Sequence, residues 1–548
     1  MFKKCLAVLL VFTLLFSMGA ITANAASPAA VTAAEEQTVS AAATEVSNPI
    51  IRFFYKVVDM LIDTLLTYIN KFYHGTERPA EEEFENEYLC QGTEDFRAEP
   101  AADAKWYLGY SSDTLLTGNE LDGTHYVGGS LSFPDPKTAT QILDDQRVRI
   151  IAIKDGATSG VVVFAIIDGF GFSNTDVREI RKRLSDYATA NNIVGINVGV
   201  LHQHSCIDTF GMNADLIRAL INNSEGNLTG AKELISGKNK AFMENLFNVT
   251  VDGIKQAVAN MEPGNLFYGS VDASDYIKDK REPIVFDPNL NRLRFVPDNT
   301  ASKETYIVNS AIHCVGNGAA GTDVTGDYPY FMEKELNAAG KNFILIQGAE
   351  LAITSKSELV EVEGEDRYQT LQRYGKRLAE LVLGITEETE IEPLLNLAYK
   401  QSFVPISNEI LSFMSSVGII NDVAVTTKDG ETLLVTEMGY MELGKDFAVF
   451  FAPGELAPEI AYGGATTPQE SWDGKSWPYV SMQEYIGNGK KLLVFGIMND
   501  QVGYILTDNS WHSFLTENEE IVATGEKAGS TIYKDFMTLI DSSDPLVG

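Results

Sequence analysis

Seven short runs of valine, isoleucine, leucine and phenylalanine recur along the chain, and each is about as long as a strand. Because most of these runs are continuous rather than alternating, they predict strands that are buried on both faces. Helical spacing of apolar residues lies between several of them, as in Thr175–Ala190 and Arg367–Leu383. Strands that alternate with helices predict an α/β fold of the mixed α+β kind, in which one large domain at 101–548 has mixed β-sheets flanked by helices. The seven runs are Val148–Ile153, Gly160–Ile167, Val194–Leu201, Thr305–Ile312, Asn342–Ile346, Phe447–Phe451 and Lys491–Phe495.

Residues 49–75 carry a different pattern, with apolar positions every three or four residues and no glycine between Pro49 and Tyr73. This spacing predicts an amphipathic helix. Two interpretations of that helix remain open: it packs on the main domain or another chain, or 50–73 contacts a membrane surface peripherally, near a lipid substrate. The polar face carries both signs of charge, which favours packing. On either side we predict a disordered spacer at 26–48 and an acidic, solvated linker at 76–100.

The first 25 residues predict a cleavable secretory signal peptide. Lys3 and Lys4 precede an apolar stretch from Leu6 to about Ile21, and Ala23-Asn24-Ala25 is a small-x-small cleavage signal. We therefore expect cleavage after Ala25 and a secreted, extracellular protein that is cell-surface associated if the helix at 50–73 anchors it. No later segment is long and apolar enough to predict a membrane span.

Composition narrows the range of functions. The formal net charge is −34, with 45% hydrophobic and 22% charged residues. This balance is typical of a globular protein with a sizeable core. A strongly acidic chain argues against nucleic-acid binding and against electrostatic docking on anionic lipid.

Three cysteines remain after the predicted signal peptide: Cys90, Cys206 and Cys314. Three cysteines in a chain of this size are not a disulfide framework. Cys206 and Cys314 each follow closely on a histidine of interest, so they become neighbours if those histidines converge. One disulfide or two buried free thiols are both open, and the sequence favours the thiols.

Histidines follow two of the strand-like runs. Val194–Leu201 leads into His202-Gln203-His204, and Thr305–Ile312 leads into His313. Ligands of layered α/β folds bind beyond the carboxyl ends of strands, and imidazole suits zinc. In an extended segment, residues two apart point to the same face, so His202 and His204 could share a pocket, one as a metal ligand and the other as a proton donor.

Two further side chains stand at strand ends. Glu455 follows a Pro-Gly turn after Phe447–Phe451, and Tyr504 lies a few residues beyond Lys491–Phe495. Taken alone, Glu455 could equally be a solvent-facing turn residue and Tyr504 a core aromatic. Asp168, at the end of another run, is open between orienting a histidine and serving as a turn residue.

The order of these motifs resembles the neutral ceramidase family, also called neutral/alkaline non-lysosomal ceramidases, over roughly residues 105 to 535. The resemblance rests on several local motifs, not on one. They are Tyr107-Leu-Gly-Tyr110, Val161 to Asp168, Leu201-His-Gln-His-Ser205, Lys280-Arg281-Glu282-Pro283, Asn309-Ser-Ala-Ile-His313, Thr325-Gly326-Asp327, Pro453-Gly454-Glu455 and Asn499 to Tyr504.

The resemblance implies one catalytic Zn²⁺ held by two histidines, a glutamate and a tyrosine. It also implies an amidase that hydrolyses the N-acyl linkage of ceramide-like lipids to a fatty acid and a sphingoid base by zinc-activated water. The implied zinc ligands are His202, His313, Glu455 and Tyr504. The implied catalytic residues are His204 and Arg281, which would stabilise the carbonyl oxygen, and Thr354, which takes the position of a family hydroxyl.

Departures from the family pattern concern the substrate more than the zinc. Leu351-Ala352 stands where the family has Gly-Asp, Cys206-Ile207-Asp208 replaces Gly-Pro-Gly, and a family tyrosine before Gly525 is missing. The chain also has no predicted C-terminal immunoglobulin-like domain. Two alternatives therefore stand beside ceramide hydrolysis: a zinc hydrolase of another amide or ester, such as an acyl-amino compound, and a non-catalytic exported binding protein that kept the fold.

Overall fold

The computed structural model describes residues 78–129, 136–229, 233–318, 321–472, 474–512 and 519–543, together with six positions between 53 and 64. The predicted signal peptide and the spacer at 26–48 lie outside the described residues. Within the predicted helix at 49–75, the described positions are 53, 56, 57, 60, 61 and 64, and all six are helical.

Twenty strands are present in the described part of the chain. They are β1 Trp106–Thr114, β2 Gln141–Ile142, β3 Arg147–Lys154, β4 Val161–Ile167, β5 Ile193–Val200, β6 Glu262–Asp272, β7 Ile277–Asp279, β8 Asn289–Pro297, β9 Thr305–Ser310, β10 Asp323–Val324, β11 Asn342–Gln347, β12 Ile353–Ser355, β13 Thr389–Ile391, β14 Leu395–Pro405, β15 Ala424–Thr426, β16 Thr432–Leu443, β17 Phe447–Phe451, β18 Glu455–Leu456, β19 Lys491–Phe495 and β20 Tyr504–Ile505.

Eleven α-helices of this same part connect or cover the strands. They are α1 Asn174–Arg183, α2 Ser185–Ala190, α3 Leu216–Thr229, α4 Lys240–Ala259, α5 Asp327–Ala338, α6 Arg367–Leu383, α7 Glu409–Ser416, α8 Pro458–Tyr462, α9 Met482–Ile486, α10 Glu519–Val522 and α11 Ala528–Ser543.

Two large mixed sheets form the centre of the molecule. The first has nine strands in the order β11-β9-β8-β6-β1-β3-β4-β5, with β13 paired to β6. Its two outer pairs, β11 with β9 and β4 with β5, are parallel, and the pairs between them are antiparallel. The second sheet has five strands in the order β14-β16-β17-β19, with β15 paired to β16, and its β17–β19 pair is parallel.

The two sheets pack face to face, and helices cover their outer faces. Phe164 of β4 meets Phe451 and Phe495 of the second sheet edge-on, with ring centroids 5.4 and 5.6 Å apart. The alternate residues of β4, such as Val163, face α4 instead, while Phe450 of the second sheet faces α11. The result is a four-layer α-β-β-α arrangement, which explains why the central strands are apolar on both faces.

The predicted fold class is confirmed, and all seven apolar runs form strands. Helix α6 begins and ends at the predicted residues, and Asp366 closes a capping box with Gln369 at its start. The predicted helix at 175–190 is instead two helices that meet at Leu184. Among the described residues, no helix is long and apolar enough to cross a membrane.

The prediction that 76–100 is a linker needs correction, because the described residues 78–100 lie against both sheets. Gly92 N donates to Val194 O of β5 over 3.0 Å, and Thr93 N donates to Leu397 O of β14 over 2.8 Å. The acidic side chains of the run still face solvent, as the sequence predicts: Glu81–Glu83, which form a short 3-10 helix, are exposed, and so are Glu85 and Glu87. Backbone donors such as those of Gly92 and Thr93 leave no signal in composition, which is why this stretch resembled a linker.

Candidate metal centre and active site

Strand ends from both sheets deliver the candidate residues to one place. His202 follows β5 and His313 follows β9 of the first sheet, while Glu455 follows β17 of the second. His202 takes a left-handed backbone conformation with φ of 54°. This conformation costs about 1–3 kcal/mol in a residue with a side chain, and such strain concentrates at functional sites.

Each of the three histidines is oriented by a backbone carbonyl. The Nδ1 atoms of His202, His204 and His313 lie 2.7 Å from Phe170 O, 2.6 Å from Gly129 O and 2.8 Å from Ile353 O. A carbonyl oxygen only accepts, so each Nδ1 carries the proton and donates it. The three Nε2 atoms are therefore the ones available to a ligand.

The three imidazoles converge. Their ring centroids are 4.6 to 5.8 Å apart, and one ligand atom from each lies within 4.8 Å of the others. His204 Nε2 is buried and has no hydrogen-bond partner among the described residues. The geometry thus treats His204 like the two predicted zinc ligands, His202 and His313, and does not set it apart as a purely catalytic residue.

Glu455 completes the cluster. Its Oε2 lies 2.9 Å from His313 Nε2 and 3.4 Å from His202 Nε2, and its Oε1 accepts a hydrogen bond of 2.9 Å from Gln501 Nε2. Tyr504 reaches the same place because β18 and β20 pair in parallel with Glu455 opposite Tyr504. Two short strands that the sequence did not predict therefore align the last two candidate ligands.

Charge in the cluster is unevenly distributed. Burial and the neighbouring His204 and His313 lower the pKa of His202 well below its ordinary value, and burial lowers the pKa of His204 to about 3. Burial also opposes a proton on His313, but the hydrogen bond that His313 donates to Glu455 and the charge of the nearby Glu350 raise the pKa of His313 to about 9. Two neutral imidazoles therefore lie beside a His313–Glu455 ion pair.

Polar residues of the other motifs hold the loops that carry the cluster. Gln203, between the two histidines, donates through Nε2 to Gly326 O over 2.7 Å. Asn499 Oδ1 accepts from Val198 N of β5 over 3.0 Å, which fixes the start of the loop to Tyr504. Asn309 Nδ2 donates to Val494 O over 2.9 Å and so ties β9 to β19 across the two sheets.

The cluster opens into a cavity of about 780 Å³. This volume is within the range of small-molecule sites, about 300–1,000 Å³. The wall includes Phe170, Phe210, Met212, Leu411 and Ile420. Phe170 also stacks on the ring of His202, with centroids 4.6 Å apart. Most of the exposed wall is apolar, so the cavity suits an apolar chain next to the polar cluster.

Of the predicted catalytic residues, Thr354 lines the cavity and Arg281 does not. Thr354, in β12, lines the cavity with the three histidines, Glu455 and Tyr504. Arg281 is not among the described residues that line it, because its Nη2 donates to Glu520 Oε1 and to Ser510 O, both over 2.8 Å. The neighbouring Lys280 lines the cavity instead.

Asp168 corrects one sequence interpretation, because it orients no histidine. Its Oδ1 pairs with Arg149 Nη1 over 2.6 Å, and its Oδ2 accepts from Arg147 N over 2.9 Å. Burial raises the pKa of Asp168 to about 6, against the lowering influence of Arg149. Asp168 thus forms a buried structural ion pair with Arg149 of the first sheet.

Sequence reasoning missed three residues of this site: Phe170, Gln501 and Glu350. Glu350 is fully buried, and neither of its carboxylate oxygens has a hydrogen-bond partner among the described residues. Burial raises the pKa of Glu350 well above its ordinary value, with His313 opposing and Glu455 adding to the rise. A signal for Gln501 was available, because it lies inside the Asn499–Tyr504 motif, but nothing in the sequence marks Glu350 or Phe170.

The cysteines are free thiols in the described part of the chain, as the sequence favoured. Cys314 is a neighbour of the His-x-His segment, since His204 N donates to Cys314 O over 3.1 Å. Burial raises the pKa of Cys206 and of Cys314 well above that of a free thiol. These thiols are therefore neutral and poor nucleophiles.

The donor set fits a metal ion. Three histidine Nε2 atoms, of which that of His204 is buried without a partner among the described residues, face a carboxylate oxygen of Glu455. Zinc is usually bound by such a combination of nitrogen and oxygen ligands. The outer hydrogen bonds from each Nδ1 to a carbonyl are those that metal-binding histidines usually make. His202, His204 and His313 therefore form a group that could hold a metal ion.

No family model matches the sequence, and no curated protein matches it either. Solved structures do match. One is a neutral ceramidase from Pseudomonas aeruginosa, with a TM-score of 0.58 and 15% identity over 80% of this chain and 74% of that one. Another is a ceramidase complexed with C2, with the same TM-score and identity, over 80% of this chain and 75% of that one. The chain has a neutral ceramidase-like fold.

Proposed function

We propose that this chain is a secreted zinc-dependent amide hydrolase that cleaves the N-acyl linkage of ceramide-like lipids to a fatty acid and a sphingoid base. The observation that carries the proposal is the convergence of His202, His204, His313 and Glu455 on the polar end of an apolar cavity. The likeness of the fold to ceramidases supports the substrate class. The N-terminal pattern up to Ala25 supports secretion.

His202, His313 and Glu455 would hold the zinc, with Tyr504 placed beside Glu455 by the β18–β20 pairing. Zinc, when bound, lowers the pKa of water toward neutrality and polarises a carbonyl group. In the overall reaction, the oxygen of water bonds to the acyl carbon, the carbon–nitrogen bond breaks, and the amine leaves with a proton.

The residues around this position serve that reaction by orientation and by exclusion of water. His204 Nε2 faces the cluster without a partner among the described residues and carries a lone pair, so it can accept a proton from the attacking water and then pass that proton to the leaving amine. The apolar wall binds the acyl chain and strengthens the electrostatic interactions at its polar end. Thr354 offers a hydroxyl on the same wall.

Metal analysis together with a ligand variant tests the proposal. We expect purified wild-type protein to contain about one zinc per chain, and His202→Ala to lose zinc and more than about a hundredfold in amide hydrolysis. His512→Gln is the matched control, because His512 lies outside the cavity lining. Zinc well below stoichiometry, with His202→Ala as active as wild type, would contradict the proposal. Zinc at full occupancy without hydrolysis of any N-acyl amide would instead support the non-catalytic alternative.

A further inference from the structure

The apolar wall of the cavity includes a polar side chain, Asn213, whose hydrogen-bonding groups have no partner in the described part of the chain. Three described residues of the lining carry a buried polar atom without a partner: His204, Asn213 and Asp422. His204 belongs to the candidate metal cluster, and Asp422 is only partly buried and interacts electrostatically with Lys238. Asn213 is 3% exposed, and both its Nδ2 and its Oδ1 lack a partner.

The hydroxyl groups on the same wall are already engaged. Ser415 donates to Asp422 O over 3.4 Å, and Thr524 donates to Val502 O. Buried polar groups of folded proteins are nearly always paired, since an unpaired one costs free energy. An unpaired amide that lines a cavity therefore indicates a ligand or a bound water at that position.

The backbone of its loop holds Asn213 in place. Asp208 is fully buried, and its carboxylate accepts three backbone N–H groups of the loop over 2.8 to 2.9 Å. They belong to Phe210, Gly211 and Asn213. Gly237 N donates to Gly211 O over 2.8 Å and fixes the loop from its other side. The amide is thus positioned before a ligand arrives, as are the few polar groups that set orientation and specificity in apolar pockets.

The surroundings of Asn213 suit an acyl chain. Phe210, Met212 and Ile420 also line the cavity, and they belong to one hydrophobic cluster against which Leu411 packs. In the proposed reaction, this apolar wall binds the acyl chain. A plain hydrocarbon chain placed there would leave the amide of Asn213 unpaired. A hydroxyl group on the chain both donates and accepts, so it matches the free donor and the free acceptor of the amide.

We propose that the substrate carries a hydroxyl group on its acyl chain, and that Asn213 binds this hydroxyl and selects hydroxyacyl amides over plain acyl amides. The inference rests on the proposed amide hydrolysis for the class of substrate. Amide and hydroxyl are both neutral, which agrees with a neutral ceramide-like lipid. A site built to bind a hydroxyl rejects the analogue that lacks it, because the polar group of the site is then left unpaired.

Matched acids and amides test the inference. Lauric acid is compared with α-hydroxy-, β-hydroxy- and ω-hydroxylauric acid, which contain no amide to cleave, and their binding to the full chain is measured by calorimetry. We expect at least one hydroxy acid to bind about tenfold more tightly than lauric acid. Turnover of the corresponding N-acyl sphinganines is measured in parallel, and kcat/KM should favour the same acyl chain.

Asn213→Leu removes the amide and keeps the approximate size of the side chain. This variant should bind the hydroxy acid and lauric acid within about twofold of each other. It should unfold at a urea concentration no lower than that of wild type, since it removes an unpaired buried group, which separates a role in binding from a role in the fold. Asn222→Leu is the matched control: Asn222 lies in α3 outside the cavity lining, and its Nδ2 donates to Glu233 O over 2.7 Å. The control should keep the preference.

Equal binding of all four acids to wild type, or a preference that survives in Asn213→Leu, overturns the inference and leaves Asn213 to a bound water. A dependence on Asn213 that appears only for hydroxyls of the amine, as between the lauroyl amides of sphinganine and octadecylamine, places the contact on the other half of the substrate and also overturns it. Selective binding of a hydroxy acid without cleavage of any amide overturns the proposed hydrolysis and leaves the recognition standing.

Discussion

At the residue scale, the candidate site depends on backbone carbonyls that fix the imidazole rings. Gly129 shows how closely these parts fit: its carbonyl accepts from His204 Nδ1, and its backbone lies against the backbone of His204. The residue has φ of 111°, a conformation that favours glycine. His204 can therefore occupy its position only because residue 129 has no side chain.

Gly129→Ala should displace His204, because the new Cβ would overlap the His204 backbone. We expect a loss of about tenfold or more in zinc affinity or in amide turnover, the range for disturbed partners of metal ligands. Gly118→Ala is the control, because Gly118 also has a positive φ, of 93°, but nothing lies within 4 Å of its added Cβ. Equal effects of the two substitutions on zinc affinity would show that backbone strain, and not His204, is responsible.

Glu459 makes the stability of the fold depend on pH. Burial raises the pKa of its carboxyl group from 4.5 to about 7. The folded protein therefore holds this proton more tightly than the unfolded chain does. The stability that the bound proton contributes is fully present below pH 4.5 and is lost as the pH rises through 7. Relative to Glu459→Gln, wild type should lose about 3 kcal/mol of unfolding free energy between these values. Urea unfolding at several pH values measures this difference, and Glu361→Gln, an exposed substitution, should follow wild type.

Individual site residues were predictable where a motif surrounds them. His202, His313, Glu455 and Tyr504 follow apolar strands in a fixed order, and the structure brings them to one cavity. Arg281 shows the limit, because a sequence does not reveal that Glu520 pairs with a guanidinium 239 positions away. Glu350 was not foreseeable either, since a single acidic residue between Ala349 and Leu351 does not reveal which side chains it meets in the fold.

At the scale of elements, the positions of the strand ends in the site depend on hydrogen bonds between the two sheets as well as on those within each sheet. Asn309 in β9 donates through one Nδ2 to Ile346 O of β11 and to Val494 O of β19. This single amide connects the strand before His313 to the second sheet. The distance between His313 and Glu455 therefore depends on a contact buried between the layers.

Asn309→Ala should lower the free energy of unfolding by about 1–3 kcal/mol, because it leaves buried carbonyls without a donor. It should also weaken zinc binding, since β9 carries His313 toward Glu455. Urea unfolding and zinc titration measure the two effects. Asn299→Ala is the control, as Asn299 lies in an exposed turn; the prediction fails if both variants unfold at the same urea concentration.

Elements were predictable where apolar residues run without interruption. Strand β4 has seven buried apolar residues and was found within one residue. Strand β16 was missed because Glu437 interrupts its pattern, and only the structure shows that Arg181 pairs with that glutamate over 2.5 Å. Strand β6 was missed because it is only half buried and contains Pro263 and Gly264.

At the scale of the whole molecule, the two sheets contribute different halves of the candidate metal site. The first sheet supplies the histidines and the second supplies Glu455. A metal ion bound there would connect the two inner layers. Its binding energy should therefore appear in the stability of the entire domain.

Zinc should raise the unfolding free energy by about 2.7 kcal/mol when free zinc is about a hundredfold above its Kd. Removal of the metal by EDTA should reverse the increase, and thermal unfolding measures both steps. His202→Ala should unfold at a temperature that does not respond to zinc. A wild-type protein that unfolds at the same temperature with and without zinc would contradict a metal that joins the two sheets.

The residues of the site come from strand ends that lie far apart in the sequence, so the site can form only after most of the chain has been synthesised. Phe170 and His202 are synthesised long before Glu455 and Gln501, and the contacts between them span up to 299 positions in the chain. Contacts this distant in sequence form late in folding. A nascent chain would hold its histidines without their carboxylate. A metal ion that binds this group would therefore be loaded after release of the finished polypeptide, and its uptake would report that the fold is complete.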